Sequence, residues 1–145
     1  MRSFLIVANQ TIGGEPLKAA IDERLATGPA RFYVVVPATP VGGGMTWDET
    51  ETQKAARERL DAVVERLRTA GAEADGEVGV RDPVDAAHDA LRRVTVDEII
   101  LSTLPAGISR WLGQDVPSRL RGSVQVPVTV VTLPKEAAET TPRQT

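Results

Sequence analysis

The residues best suited to chemistry fall in three places along the 145-residue chain. Asn9, Gln10 and Thr11 follow one apolar run, Ser102 and Thr103 follow another, and Gly107, Arg110, Gly113 and Asp115 come soon after. Amides and hydroxyls just past buried strands can hold hydroxyl or phosphate oxygens, and guanidinium forks suit phosphates and carboxylates. This is the chemistry of binding rather than of bond breaking. His88 is the single histidine, and it sits mid-helix near an apolar stripe with Asp85 and Asp89 nearby, as a packed structural histidine would. Ser109 lies in Gly107-Ile108-Ser109-Arg110, which is not the Gly-x-Ser-x-Gly elbow of hydrolases. Cysteine is absent, which excludes disulfides, thiol nucleophiles and thiolate metal sites; one histidine leaves no transition-metal set. Asn9-Gln10 also lacks the acidic pair that a receiver-type phosphoacceptor needs. The sequence predicts neither a catalytic set nor a metal site.

Bulk properties narrow the class further. Hydrophobic residues make up 41% and charged residues 26%, as in an ordinary globular domain of this length. A net charge of -3 and only 3% aromatics argue against nucleic acid as a partner. No stretch approaches the roughly 18 apolar residues that a membrane span requires, and the first apolar run is too short for a secretory signal. The expectation is a cytoplasmic protein with no membrane partner.

The elements that must position those residues read as alternating strands and helices. Phe4-Leu5-Ile6-Val7-Ala8 and Phe32-Tyr33-Val34-Val35-Val36 are continuous apolar runs, the pattern of strands covered on both faces. Pro16, Leu17, Ile21 and Leu25 mark a helix between them, closed by Gly28-Pro29. Residues 37–44 cannot continue the second strand, and Gly42-Gly43-Gly44 loosens that loop. Thr46 with Glu49 reads as a capping box for a long helix whose apolar face includes Ala56, Leu60, Val63, Val64, Leu67 and Ala70, ended by Gly71. Residues 72–80 form a weaker, alternating strand, expected at a sheet edge. Asp82-Pro83 starts a third helix, residues 96–101 form a fourth strand, and a loop with a helical piece around 117–121 follows. Val126-Pro127-Val128-Thr129-Val130-Val131 is the last strand, its proline favouring a strand start or an edge. Residues 1–133 form one domain, and residues 134–145 are expected to be a disordered tail.

This β-α-β-α-β-α-β-α-β order predicts an α/β fold, helices on both faces of a parallel sheet. Ligands of such sheets sit at the carboxyl ends of the strands near the switch in strand order. Segments 8–11, 36–44 and 102–115 are therefore the candidates, with Ala8 and Val36 joining the polar residues as lining.

Three segments resemble universal stress proteins. Phe4-Leu5-Ile6-Val7-Ala8-Asn9 is similar to their first strand, which usually ends in an aspartate that recognises adenine. Arg81-Asp82-Pro83-Val84-Asp85-Ala86-Ala87, running on to Val96-Asp97-Glu98-Ile99-Ile100-Leu101, resembles their Gly-Asp-Pro helix and fourth strand. Val126-Pro127-Val128-Thr129-Val130-Val131 is similar to their closing strand. The resemblance implies a five-stranded parallel sheet of order 3-2-1-4-5, a Rossmann-like three-layer α/β/α fold, a role in stress response, and a homodimer formed through residues 126–131.

That family divides into binders of ATP or AMP and members without nucleotide. Binders carry Gly-x-x-Gly, nine residues, then Gly-Ser or Gly-Thr after the fourth strand. Here the forward count places Ser102 and Pro105 at the first glycines and Asp115-Val116 at the pair; the backward count from Pro127 gives Gln114-Asp115. Asn9 replaces the adenine-binding aspartate. A phosphate cradle needs close backbone approach and inward N–H donors, and a carboxylate beside a polyphosphate repels it. The expectation is a non-enzymatic regulatory or interaction domain without the usual ATP binding and without a cofactor, acting on a protein partner that the sequence does not name. The alternative is an adenine nucleotide (ATP or AMP) binder in which Arg110 replaces lost backbone donors. Arg110, Arg119 and Arg121 could grip an anion; the competing reading is a solvated surface paired locally with Asp115. Trp111 is expected to anchor packing or a dimer contact, and Trp47 to act as a lid or a helix staple.

Overall fold

The computed structural model describes residues 1–8, 14–38, 49–104 and 110–133. Five strands alternate with helices: β1 (Arg2–Val7), α1 (Glu15–Ala26), β2 (Ala30–Pro37), α2 (Glu49–Thr69), β3 (Glu73–Gly79), α3 (Pro83–Leu91), β4 (Glu98–Thr103), α4 (Arg110–Gly113), α5 (Val116–Arg121) and β5 (Val128–Thr132). The sheet runs β3-β2-β1-β4-β5, and all four pairings are parallel. The expected order 3-2-1-4-5 is therefore observed.

Alternation along the strands divides the core into two. Phe4, Ile6 and Ala8 of the first strand and its end pack with Leu17 and Ile21 of α1 and with Ala56, Leu60, Val63 and Leu67 of α2. Leu5 and Val7 face the other way, onto Val84, Ala87 and Ala90 of α3, Trp111 of α4, and Val116 and Leu120 of α5. Successive residues of a strand point to opposite faces, so a strand covered on both sides must be apolar throughout. Phe4 through Ala8 are all fully buried. Trp111 is a packing anchor on the α3 side, as its sequence neighbourhood suggested.

Strand ends differ from the sequence reading by a few residues, each for a local reason. β2 includes Pro37, which the sequence placed in the loop. The paired residues of β1 and β2 end at Val7 and Val35, so Pro37 lies beyond the ladder on that side, where its missing N–H costs no ladder bond, while its pairing with Gly79 of β3 persists. β4 begins at Glu98 rather than Val96 and continues through Ser102 and Thr103, which the sequence placed in a loop. Their pairing with Val131 and Thr132 of β5 holds these polar residues in the ladder. β5 begins at Val128, not Val126; Pro127 stands just before it and its carbonyl accepts from the Ile99 N–H at 2.9 Å. β3 and β5 are the two edges, as expected. The capping box at Thr46, the glycine loop, Trp47 and the tail 134–145 lie outside the described residues.

Two features fix the layers. Gly79, at the end of β3, lies so close under α3 that an added Cβ would stand 2.7 Å from the Ala86 Cβ and 2.9 Å from the Val35 Cγ2. At the opposite end of the sheet, Arg24 of α1 reaches Glu98 of β4 through Nε (3.2 Å) and Nη2 (2.7 Å). Both side chains are 13% exposed. Thr129 of β5 donates its hydroxyl to the same carboxylate, and Arg24 also donates to the Ala20 carbonyl at 3.0 Å. Burial alone would push the Glu98 carboxyl up, but the hydrogen bonds from Arg24 and Thr129 and the Arg24 charge outweigh it and hold it below its ordinary value of 4.5.

Gly79→Ala should cost about 1–3 kcal/mol, because both contacting groups belong to the packed core; urea unfolding measures it. Removing one side of the Arg24–Glu98 pair, as in Arg24→Met, should cost about 3–5 kcal/mol by leaving a buried carboxylate without its partner. Since the Glu98 value is depressed by folding, its contribution is present above the unfolded value and is lost as pH falls through the folded one. Unfolding free energy measured against pH should fall below about pH 4.5, and Glu98→Gln should flatten that fall.

Candidate ligand site at the carboxyl edge of the sheet

The chain order reverses between β1 and β4, so the crevice beyond their carboxyl ends is the place where this topology binds ligands. Ala8 ends β1, with its N–H donating to the Val35 carbonyl at 3.3 Å, and Val36 lies beside it; both are fully buried. Ser102 and Thr103 complete the row on β4 and are 2% and 1% exposed. By strand alternation Ser102 follows Ile100 toward the α1 and α2 side, where Ala8 and Val36 also point. Thr103 takes the other face, with its Oγ1 3.3 Å from the Thr132 Oγ1, and its carbonyl accepts from the Leu133 N–H at 2.9 Å. The structure thus brings Ala8, Val36 and Ser102 together at one edge and turns Thr103 toward β5. Asn9, Gln10, Thr11 and Gly107 lie outside the described residues.

Past β4, Arg110 and Gly113 bound the single turn of α4. Asp115 separates α4 from α5, at φ 57° and ψ 40°. Among the described residues it is the one non-glycine with positive φ. This left-handed conformation favours glycine, and aspartate is one of the few side chains that tolerate it. Of the two registers counted in the sequence, the forward one, with Asp115 at the glycine of the pair, is the one in which that glycine place carries a glycine-type conformation. The side chain of Asp115 is exposed and makes no cap hydrogen bond.

Two of the nearby arginines are committed elsewhere. Arg119 donates to the Asp82 Oδ2 at 2.9 Å, and Arg121 donates to the Val128 carbonyl at 3.0 Å. Neither side chain pairs with Asp115, which corrects the local pairing expected from sequence for these two; the side chain of Arg110 lies outside the described residues. Asp82 serves two elements at once. Its Oδ1 accepts from the N–H groups of Val84 (2.8 Å) and Asp85 (3.3 Å) as the cap of α3, while Oδ2 holds Arg119 of α5. Burial pushes the Asp82 carboxyl up, yet the bonds from Arg119 and the two backbone donors bring it below its ordinary value. Sequence identified the cap; nothing in it showed that Arg119 returns to the same carboxylate from 37 residues away.

His88 is half-buried, with Nε2 2.8 Å from the Ser123 Oγ. The Ser123 hydroxyl donates to the carbonyls of Arg119 (3.0 Å) and Leu120 (3.1 Å). With that proton engaged, Ser123 accepts from the imidazole, and the pair joins α3 to α5 rather than priming a nucleophile. No group of acidic or histidine side chains that could hold a metal occurs among the described residues, and none of their helices is long and apolar enough to cross a membrane.

Two hollows on the described surface have polar linings away from the switch crevice. One, of about 560 Å³, lies at the amino ends of the strands, and its arginines and tyrosine are paired: Arg31 with Glu73, and Tyr33 and Arg93 both with Glu77. Burial, then the Glu77 hydrogen bond and charge, pushes the Tyr33 hydroxyl up to about 12. The other, of about 410 Å³, lies at the carboxyl ends of β2 and β3 against α2. Sequence reading missed its polar residues Thr52 and Gln53, because they sit inside a helix whose pattern reads simply as amphipathic.

No family model matches the chain, and no curated protein is similar to it in sequence. Solved structures are similar in fold. A universal stress protein from Archaeoglobus fulgidus has a TM-score of 0.58 at 24% identity, over 90% of this chain and 93% of that one. The chain folds as universal stress proteins do. The Archaeoglobus protein in complex with dAMP has the universal stress protein fold over 90% of this chain and 98% of its own, at a TM-score of 0.57 and 23% identity. A universal stress protein family protein from Arabidopsis thaliana with AMP bound shares that fold at a TM-score of 0.59 and 12% identity, over 94% of this chain and 95% of that one.

Asp82→Ala removes the α3 cap and should destabilise this universal stress protein fold by about 1 kcal/mol. Arg119→Ala should cost distinctly less, because an exposed ion pair contributes little. Parallel urea titrations of the two variants check the order.

Proposed function

We propose that the chain is a non-enzymatic regulatory or interaction domain of universal stress protein type, homodimeric through β5, that does not bind ATP in the manner usual for such proteins. The observation that carries this reading is Asp115. It occupies the left-handed turn before α5 and places an exposed carboxylate where a glycine would leave only backbone. A second negative charge next to a triphosphate costs affinity at any spacing of a few ångströms.

The two sheet edges support the dimer. β3 carries Glu73, Asp75 and Glu77 at alternate positions, the charged composition that discourages strand addition. β5 reads Val128-Thr129-Val130-Val131-Thr132, without a charge and β-branched throughout. A second copy would pair there with no charge to bury. A cytoplasmic setting belongs to the same reading, since a chain without cysteine gains nothing from an oxidising compartment.

One observation favours a second reading, an adenine nucleotide binder with an altered phosphate loop. Asp115 changes the side chain at the turn but keeps the backbone conformation, and the similar folds include proteins with AMP and dAMP bound. A monophosphate brings less charge to Asp115 than ATP does, so AMP is the nucleotide this reading prefers.

Melting the protein with and without nucleotide separates the two. A ligand at 100 times its dissociation constant adds about 2.7 kcal/mol, or several degrees in a chain of this size. The leading reading expects no shift with ATP; a shift with AMP alone supports the second reading, and one with ATP overturns the first. For the dimer, light scattering at tens of micromolar should give twice the chain mass, and Val130→Lys should return the single-chain mass. A wild-type protein that scatters as one chain removes it.

A further inference from the structure

The hollow of about 410 Å³ between α2 and the carboxyl ends of β2 and β3 is separate from the switch crevice and has no role in the reading above. Its size falls within the roughly 300–1,000 Å³ of small-molecule pockets. Its most telling residue is Thr52. The side chain comes from the second half of the first turn of α2, lines the hollow, and is 7% exposed, yet among the described residues its hydroxyl has no hydrogen-bond partner. Buried hydroxyls are nearly always partnered, and an orphan in a native structure calls for a reason. Beside it, Gln53 adds an amide that both donates and accepts.

The rest of the wall limits what could satisfy them. Val78 and Val80 supply apolar surface, and Val80 is 49% exposed, one of two large apolar side chains left so open among the described residues. Among the described residues no carboxylate lines the hollow, so none of them selects a cation. Arg81 stands at the wall and has a partner of its own, and its guanidinium is a cationic donor set that also bonds hydroxyl oxygens. Gly79 closes the floor, its carbonyl taken by the Ala38 N–H at 3.0 Å.

We infer that this hollow binds the neutral, polyhydroxyl face of a sugar, with Thr52 and Gln53 bonding adjacent hydroxyls while Val78 and Val80 meet its C–H surface. Hydroxyls fit because each both donates and accepts, as Thr52 and Gln53 do. The sugar is either free or borne by a nucleoside. The inference does not rest on nucleotide binding at the switch crevice.

The test is a titration of ¹⁵N-labelled protein with D-ribose and, separately, adenosine, followed by amide shifts. D-ribose should move the amides of Thr52, Gln53 and residues 78–81 saturably. Thr52→Val, which removes the hydroxyl and keeps the shape, should weaken binding about tenfold, the worth of one hydrogen bond. It should leave the melting point unchanged or raised. Gln53→Leu, at an exposed helix position, gives a second variant with the same expected loss. Equal affinity for ribose and adenosine assigns a free sugar; tighter adenosine binding at these same amides assigns a nucleoside. Ribose that moves none of these amides up to its solubility limit overturns the inference, as do shifts that persist in both variants. Adenosine shifts centred on Ala8 and Ser102 instead would overturn it while leaving the nucleotide reading intact.

Discussion

Everything in this molecule depends on β1 being paired on both sides and covered on both faces. Its backbone bonds to β2 and β4, and its side chains alternate between two cores. That arrangement creates the switch in strand order, because chain order runs outward from β1 in both directions. It also explains why Ala8, Val36 and Ser102 meet at one edge although they are far apart in sequence. A polar residue between Phe4 and Ala8 would face a packed helix whichever way it pointed, so at this edge polar chemistry begins only after Ala8.

The helices on the α3 side add a second constraint. α3 and α5 are joined at one end through Asp82 and Arg119, and at the other through His88 and Ser123. α5 is only six residues long and could not hold its place by its own hydrogen bonds. These contacts, with Val116 and Leu120 in the core, hold the turn at Asp115. The backbone there keeps its left-handed form without a glycine because both flanking helices are anchored.

How much of this was legible in sequence follows from the range of each interaction. The sheet order was legible because continuous apolar runs such as residues 4–8 and 99–101 mark doubly covered strands, and helices between them force parallel pairing. The edge position of β3 was legible from its alternation. Strand ends were less so: Ser102 and Thr103 look like loop residues until β5 supplies their partners, and Pro37 looks like a terminator until the shorter reach of β1 is known. Of the candidate site, the hydroxyls and the missing glycines stand in the sequence itself, since those are local facts. The left-handed turn at Asp115, the commitment of Arg119 to Asp82 and the lack of a hydrogen-bond partner for the Thr52 hydroxyl among the described residues come from the fold, and no spacing encodes them.

The central proposal is that a scaffold similar to that of nucleotide-bound proteins carries, at Asp115, a carboxylate that turns polyphosphate away. Calorimetric titration of ATP into Asp115→Gly and into the unaltered protein tests it most directly. Glycine suits the same backbone conformation, so the variant changes the charge and leaves the turn. A gain in ATP affinity of about tenfold or more, the worth of one unit-charge repulsion relieved near the surface, is the result this account predicts. Equal affinity in the two proteins would contradict it.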